Sequence, residues 1–201
     1  MKSNPFAQAA YALSAHQLEQ LPDDSGLEIA FAGRSNAGKS SAINAICDHV
    51  GLARTSKTPG RTQQLVVFTM DSSRRLIDLP GYGYAEVPQK LRDHWRLLID
   101  KYLRIRDSLR GIVLIMDARH PLKEFDQQML TFCAAIDLPC HCLITKADKL
   151  TFSEGQKTLA TVKKQITAIS EHASAQLFSS SKKTGVEEAR KQLGLWLGIE
   201  L

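Results

Sequence analysis

A strand-like run at 27–32, apolar but for Glu28, leads without a break into Gly33-Arg34-Ser35-Asn36-Ala37-Gly38-Lys39-Ser40, and no other feature constrains the fold as tightly. The octapeptide fits G-x-x-x-x-G-K-[ST] at every fixed position. Its glycines let backbone N–H groups turn inward on phosphates, and the positive end of a following helix adds to the attraction. Lys39 would reach the β- and γ-phosphates, and the Ser40 hydroxyl is a candidate Mg²⁺ ligand. A loop of this kind needs a strand before it and a helix behind it, which commits the chain to an α/β architecture.

The rest of the chain carries the matching alternation. Strands are predicted at 27–32, 64–70, 74–78, 111–117, 140–145 and 175–178, and helices at 39–49, 88–107, 123–136, 153–171 and 185–198. Only Asp71-Ser72-Ser73 separates 64–70 from 74–78, a connection short enough only for antiparallel neighbours. The expected fold is therefore that of a P-loop nucleoside triphosphatase. It has a six-stranded, mostly parallel sheet with one antiparallel hairpin strand, helices on both faces and the nucleotide at the strands' C-terminal ends. A length of 201 residues suits one domain, over 26–201, with residues 1–25 an extension packed on it as an accessory helix ending near Leu21-Pro22.

Composition excludes several classes. The chain is 43% hydrophobic and 23% charged, as soluble globular domains are. Its longest apolar runs, such as 111–116, are strand-sized, far below the ~18 residues of a membrane span. Gln8 and Ser14 interrupt the run at 7–15, so a signal peptide is not expected. Cys47, Cys133, Cys140 and Cys142 are accordingly expected as thiols in the cytoplasm. Cys140-His141-Cys142 lies in a predicted strand, where alternate side chains face opposite ways, and so does not read as a metal site.

Two further motifs specify the nucleotide. Asp78-Leu79-Pro80-Gly81 closes a strand, where Asp78 can hold a Mg²⁺ water shell and the Gly81 N–H can meet a γ-phosphate. Thr145-Lys146-Ala147-Asp148 closes another, and an aspartate there can accept both the N1–H and the exocyclic amino group of guanine. A T-K-x-D tetrapeptide alone is weak. Three motifs in this order, each after a strand, point to GTP and argue against an ATPase or nucleoside kinase.

With these residues the chain resembles the translation-factor-related GTPases and, among them, the bacterial EngB (YihA/YsxC) family. The resemblance covers nearly the whole chain and rests on 33–40, on Lys57-Thr58-Pro59-Gly60-Arg61-Thr62-Gln63, on Asp78-Leu79-Pro80-Gly81-Tyr82-Gly83-Tyr84-Ala85 and on Phe178-Ser179-Ser180. It implies a G domain that binds GTP and GDP with Mg²⁺ and hydrolyses GTP, with Lys39, Thr62 and Gly81 as the catalytic set. Gly60, Arg61, Thr62, Gln63 and Gln64 would join the nucleotide-binding residues, Thr62 completing the Mg²⁺ shell and Thr58 standing as the weaker candidate. Phe178, Ser179 and Ser180 would form the second guanine loop, although the wider class often carries Ser-Ala-Lys there. The family's role, late assembly of the large ribosomal subunit and normal cell division and septation, implies a ribosomal RNA partner. The alternative is a switch that binds a division protein directly. A monomer is expected, with no DNA or membrane partner.

Three positions invite sharper readings. Tyr82 follows Gly81 where Ras-like enzymes carry a water-orienting glutamine, so slow intrinsic hydrolysis is expected. Asn36 lies where potassium-using GTPases carry an asparagine that helps hold K⁺ beside the phosphates, and equally suits a turn-stabilising role. Segment 88–110 holds seven basic against three acidic residues and so carries four of the chain's five net positive charges. On a helical wheel Leu91, Trp95, Leu98, Tyr102 and Ile105 form an apolar face, while Arg92, Arg96 and Arg106 share a flank suited to an RNA backbone or simply to solvent.

Overall fold

The computed structural model describes residues 4–54, 64–82 and 89–200, without the side chains of 89–92, 94 and 95. Strand β1 (Ala10–Ala15) is followed by β2 (Leu27–Gly33), α1 (Lys39–Cys47), β3 (Leu65–Thr69), β4 (Arg74–Asp78) and α2 (Gln89–Ile105). Then come β5 (Leu109–Asp117), α3 (Glu124–Ala135), β6 (Cys140–Thr145), α4 (Phe152–Ile169), β7 (Ala173–Leu177) and α5 (Val186–Trp196).

The strands form one sheet in the order β1-β3-β4-β2-β5-β6-β7. Pairs β2–β4, β2–β5, β5–β6 and β6–β7 are parallel, and β3–β4 and β1–β3 antiparallel. Period-two alternation divides the central strands between two cores. Ala30, Ile112, Leu114 and Cys142 pack with Leu98, Leu130 and Val162 of α2, α3 and α4. Ile29, Phe31, Val113, Ile115 and Leu143 pack with Ile43, Ile46, Ala189 and Leu193 of α1 and α5. Strands covered on both faces read as unbroken apolar runs, which is why 111–116 was so legible.

Two expectations are corrected. Among the described residues the sheet has seven strands, because the N-terminal segment adds β1 to the edge strand β3 instead of forming a helix. Residues 7–15 make too short a helix to stand alone, whereas an open sheet edge offers their backbone groups immediate partners. Before β1, a single 3₁₀ turn at Pro5–Gln8 buries Phe6 completely, and Asn4 Nδ2 donates to Ile46 O at 3.3 Å.

The second correction concerns Arg106, expected on an exposed basic flank. Its side chain is 9% exposed and closes a buried network on Glu28, which is fully buried. Glu28 Oε1 accepts from Arg75 Nε and Arg106 Nη2, both at 2.8 Å, and Oε2 from Arg106 Nε and Tyr102 Oη, both at 3.1 Å. Arg106 Nη2 also donates to Pro22 O at 2.7 Å. A carboxylate buried in β2 demands such partners, and a helical wheel is blind to the element lying across the flank. The apolar face shifts with it: Leu98, Tyr102 and Leu103 are buried, while Ile105 is 54% exposed. Of the other two arginines, Arg96 is exposed, and the Arg92 side chain lies outside the described residues.

Candidate functional site

β2, β4, β5 and β6 end at one edge of the sheet, on Gly33, Asp78, Asp117 and Thr145. From Gly33 the chain enters the predicted phosphate loop. A Cβ on Gly33 would stand 2.8 Å from Ile115 O, so the loop leaves β2 in a space that admits no side chain. Gly38 has φ +98° and caps α1 at its N-terminus, a backbone form that glycine adopts at no steric cost. Ala37 is buried, and Arg34, Ser35, Lys39 and Ser40 are half-buried along the loop.

Lys39 and Asp78 form an ion pair, with side chains 12% and 8% exposed, joining the first turn of α1 to the end of β4. A phosphate oxygen would compete with Asp78 for the ammonium, and a divalent cation would compete with Lys39 for the carboxylate. The Ser40 hydroxyl and the Asp78 carboxylate are hard oxygen donors, the kind Mg²⁺ takes. Thr58, Gly60, Arg61, Thr62 and Gln63 lie outside the described residues, and with them the first switch threonine. Gln64 turns to the N-terminal segment, its Nε2 2.5 Å from His16 Nε2.

Beyond Asp78, Leu79 and Pro80 are buried and Gly81 half-buried. The Tyr82 hydroxyl donates to Asp126 Oδ1 on α3 at 2.9 Å. That direction turns the phenol toward α3, so Tyr82 does not stand in for the missing glutamine. Burial raises the Tyr82 phenol well above its ordinary pKa, and the Asp126 charge adds to the effect.

The loop after β6 is tied to the phosphate loop twice. Thr145 Oγ1 lies 2.5 Å from Ala37 O and 3.0 Å from Met116 O. Lys146, in the left-handed region at φ +57°, donates from Nζ to Asn36 O at 2.7 Å and pairs with Asp117 Oδ2 at 2.9 Å. Asp117 also receives Arg119 Nε and Nη2, at 2.9 and 2.7 Å. These bonds, those from Arg119 above all, hold its carboxyl well below the usual carboxylate range. Asn36 is exposed, with φ +60°, a turn conformation asparagine tolerates well.

The two predicted base-recognition loops also meet. Ala147 N–H donates to Phe178 O at 3.1 Å, and the buried Ser179 hydroxyl donates to Asp148 Oδ1 at 2.6 Å, lowering that carboxyl's pKa. Ser179 N–H is taken by Thr184 O at 3.0 Å, and Ser180 is half-buried beside it. Thus the hydroxyl of Ser179, anchored in turn by the Lys182 N–H at 3.2 Å, aims the Asp148 carboxylate.

Sequence reasoning missed Asp117, Arg119 and Asp126. For Asp117 a signal existed, a carboxylate ending a strand at the same sheet edge as Asp78. Asp126 reads locally only as an acid in the first turn of α3, and its partner Tyr82 arrives from 44 residues away.

Residues 28–146 match the family described as 50S ribosome-binding GTPase. A probable GTP-binding protein EngB of Xanthomonas euvesicatoria pv. vesicatoria (strain 85-10) is 55% identical over 195 residues, 96% of this chain and 94% of its relative. Another from Stenotrophomonas maltophilia (strain K279a) is 55% identical over 193 residues, covering 96% of each. The chain belongs to the EngB family. As an EngB-family GTPase it binds GTP and GDP and hydrolyses GTP to GDP and phosphate. The fold agrees with a crystal structure of a probable GTP-binding protein engB, at TM-score 0.68 and 19% identity over 85% of this chain and 98% of that one. Elongation factor SelB from Methanococcus maripaludis shares the fold more distantly, at TM-score 0.61 and 16% identity over 89% of the EngB-family chain and 34% of its own. Among the described residues no helix is long and apolar enough to cross a membrane.

Proposed function

We propose that the protein is a nucleotide-dependent switch in late assembly of the large ribosomal subunit, acting in the cytoplasm as a monomer on ribosomal RNA. The observation that carries this reading is the match of 28–146 to a family described as 50S ribosome-binding. Its need in cell division and septation follows as a downstream effect of ribosome supply. Exposed Arg96 on α2 is the described part of the predicted flank that suits a phosphate backbone, whereas the exposed Lys101 and Arg104 are paired with Glu19 and Asp100. Arg106 is excluded from that face by its bonds to Glu28.

Within the site, Lys39 clamps the β- and γ-phosphates, and the N–H groups of Asn36 and of Gly38 to Ser40 cradle them, those of Ser35 and Ala37 being taken by Tyr82 O and Arg34 O. Ser40 and Thr62 would hold Mg²⁺ and Asp78 its water shell, and the ion supplies charge neutralisation between the β- and γ-phosphates when bound. The Gly81 N–H meets the γ-phosphate. Asp148 reads guanine, Ser179 aims it, and Lys146 with Thr145 fastens the base loop to the phosphate loop. Loss of the γ-phosphate on hydrolysis would release the switch segments, the output of such a GTPase.

Co-sedimentation with purified large subunits and assembly intermediates, in GDP or a non-hydrolysable GTP analogue across a salt series, tests the reading. Binding in the GTP state that weakens steeply with salt supports it. Binding in neither state overturns it and turns attention to a direct division-protein partner, which would be captured in a GTP-dependent, RNase-insensitive manner.

A further inference from the structure

The segment after Asp78 is pinned at both ends. β2 and β4 stay in register to Phe31↔Asp78, and pairing resumes at a bridge between Arg34 and Tyr82, three residues further along one strand but four along the other. The extra residue falls within Leu79-Pro80-Gly81. On one side of it Leu79 N–H donates to Phe31 O at 3.0 Å. On the other, Tyr82 N–H donates to Gly33 O at 3.3 Å and Tyr82 O accepts Ser35 N–H at 2.9 Å. The bulged stretch that contains Gly81 therefore lies between fixed points, alongside the first residues of the phosphate loop.

A third element fixes the Tyr82 side chain. Its hydroxyl bonds Asp126, and its ring packs on Phe125 with centroids 5.8 Å apart. Asp126 is 1% exposed, and its Oδ2 accepts the Lys123 N–H at 3.0 Å at the start of α3. The Arg34 guanidinium, inside the phosphate loop, acts on the same carboxylate electrostatically. Phosphate loop, Gly81 segment and α3 thus converge on one buried acid. Capping α3 accounts for one oxygen of Asp126 and leaves the Tyr82 bond unexplained.

We propose that Asp126 and Tyr82 are a positioning pair for the third phosphate of GTP: the hydroxyl–carboxylate bond sets where the Gly81 peptide stands, and through it the preference for GTP over GDP. The proposal rests on Gly81 N–H being the γ-phosphate contact. Hydrogen bonds weaken steeply with distance and angle, and a misplacement of about 1 Å can cost roughly a hundredfold in rate. A peptide locked from both sides presents its N–H without reorganisation, and freeing the phenol removes one of those locks.

The test compares Tyr82→Phe, which keeps the ring on Phe125, with Asp126→Asn, the double variant and Gly81→Ala. Fluorescent GDP and a non-hydrolysable GTP analogue are titrated with Mg²⁺ present, and single-turnover GTP hydrolysis and thermal melting are recorded. For Tyr82→Phe the analogue should bind about tenfold more weakly and hydrolysis should slow about as much, with GDP affinity within about twofold, as loss of a bond to a charged group predicts. The double variant should add little to Asp126→Asn. An unchanged analogue-to-GDP ratio in Tyr82→Phe, with Gly81→Ala losing the analogue, would overturn the pairing. Equal losses of both nucleotides would overturn it too, by showing a merely structural role. A Gly81→Ala variant with an unchanged ratio would instead sink the γ-phosphate contact on which the proposal stands.

Discussion

Lys146 and Asp117, at the ends of adjacent parallel strands, form an ion pair whose ammonium also donates to the carbonyl of Asn36 in the phosphate loop. One cation therefore joins the strand end that precedes Asp148 to the loop expected to hold the phosphates.

Replacing Asp117 with Asn should loosen that cation and leave Arg119 without its partner. GDP and a GTP analogue should both bind about threefold to tenfold more weakly, chiefly through faster dissociation, because the joint serves both nucleotides. Stopped-flow displacement of a fluorescent nucleotide checks this. The carboxyl is held far below its ordinary range, so this contribution should be flat between about pH 5 and 8. Unchanged dissociation rates would show that Lys146 keeps its place without Asp117.

Ser179→Ala removes the donor that aims Asp148. Guanine nucleotide affinity should fall about threefold to tenfold with the base preference retained, since the carboxylate is still present. Asp148→Asn should instead move the preference from guanine toward xanthine. Parallel titrations with GDP and xanthosine diphosphate separate aiming from reading. Retained GDP affinity in Asp148→Asn would contradict the assignment.

Arg106 and Arg96 should part company. Arg106→Ala leaves Glu28 buried with one guanidinium fewer and should destabilise the fold by about 3 kcal/mol, read from urea denaturation. Arg96→Ala should leave stability within about 0.5 kcal/mol and reduce the salt dependence of large-subunit binding. A stable Arg106→Ala protein that no longer bound the subunit would return that residue to the RNA face.

The parallel core and the phosphate loop were legible because their signals are local. A buried strand such as 111–116 is a run of apolar residues, and Gly33 to Ser40 is a contiguous motif. Ser179, named from a resemblance, turns out to act on Asp148 as well as standing near the predicted base site. What escaped are relations between segments distant in the chain: β1 finding the edge of β3, Arg106 finding Glu28, Tyr82 finding Asp126. Each is decided by which element lies opposite, and neither propensity nor periodicity carries that information.

Tyr82 is committed to α3 and no glutamine follows Gly81, so unassisted hydrolysis should be slow, on the order of 10⁻⁴ to 10⁻³ s⁻¹ or below. Single-turnover rates near 1 s⁻¹ without a partner would contradict this. Should Asn36 help hold K⁺ beside the phosphates, hydrolysis will run faster in K⁺ than in Na⁺, and Asn36→Ala will erase the difference. Equal rates in the two salts leave Asn36 as a turn residue, the role its left-handed backbone already serves.

His141 on β6 should make stability pH-dependent far from the predicted nucleotide site. Gln176 Nε2 donates to Gly185 O at 2.7 Å, which turns Gln176 Oε1 to His141 Nε2 at 2.9 Å. Nε2 therefore carries the proton, and Nδ1 accepts the Ser174 hydroxyl at 2.8 Å. Burial lowers the imidazole pKa, and the Lys163 charge lowers it further. The unfolded histidine has a pKa of about 6.5, so below that the unfolded chain binds a proton that the folded one refuses. Stability should accordingly fall as pH drops from 7 to 5, by up to about 1.4 kcal/mol per unit until the folded pKa is reached. Urea denaturation at pH 5, 6, 7 and 8 reads this slope, and the difference from His141→Gln isolates it from the carboxylates. A variant with the same slope as the parent would mean that the folded imidazole protonates as readily as the unfolded one.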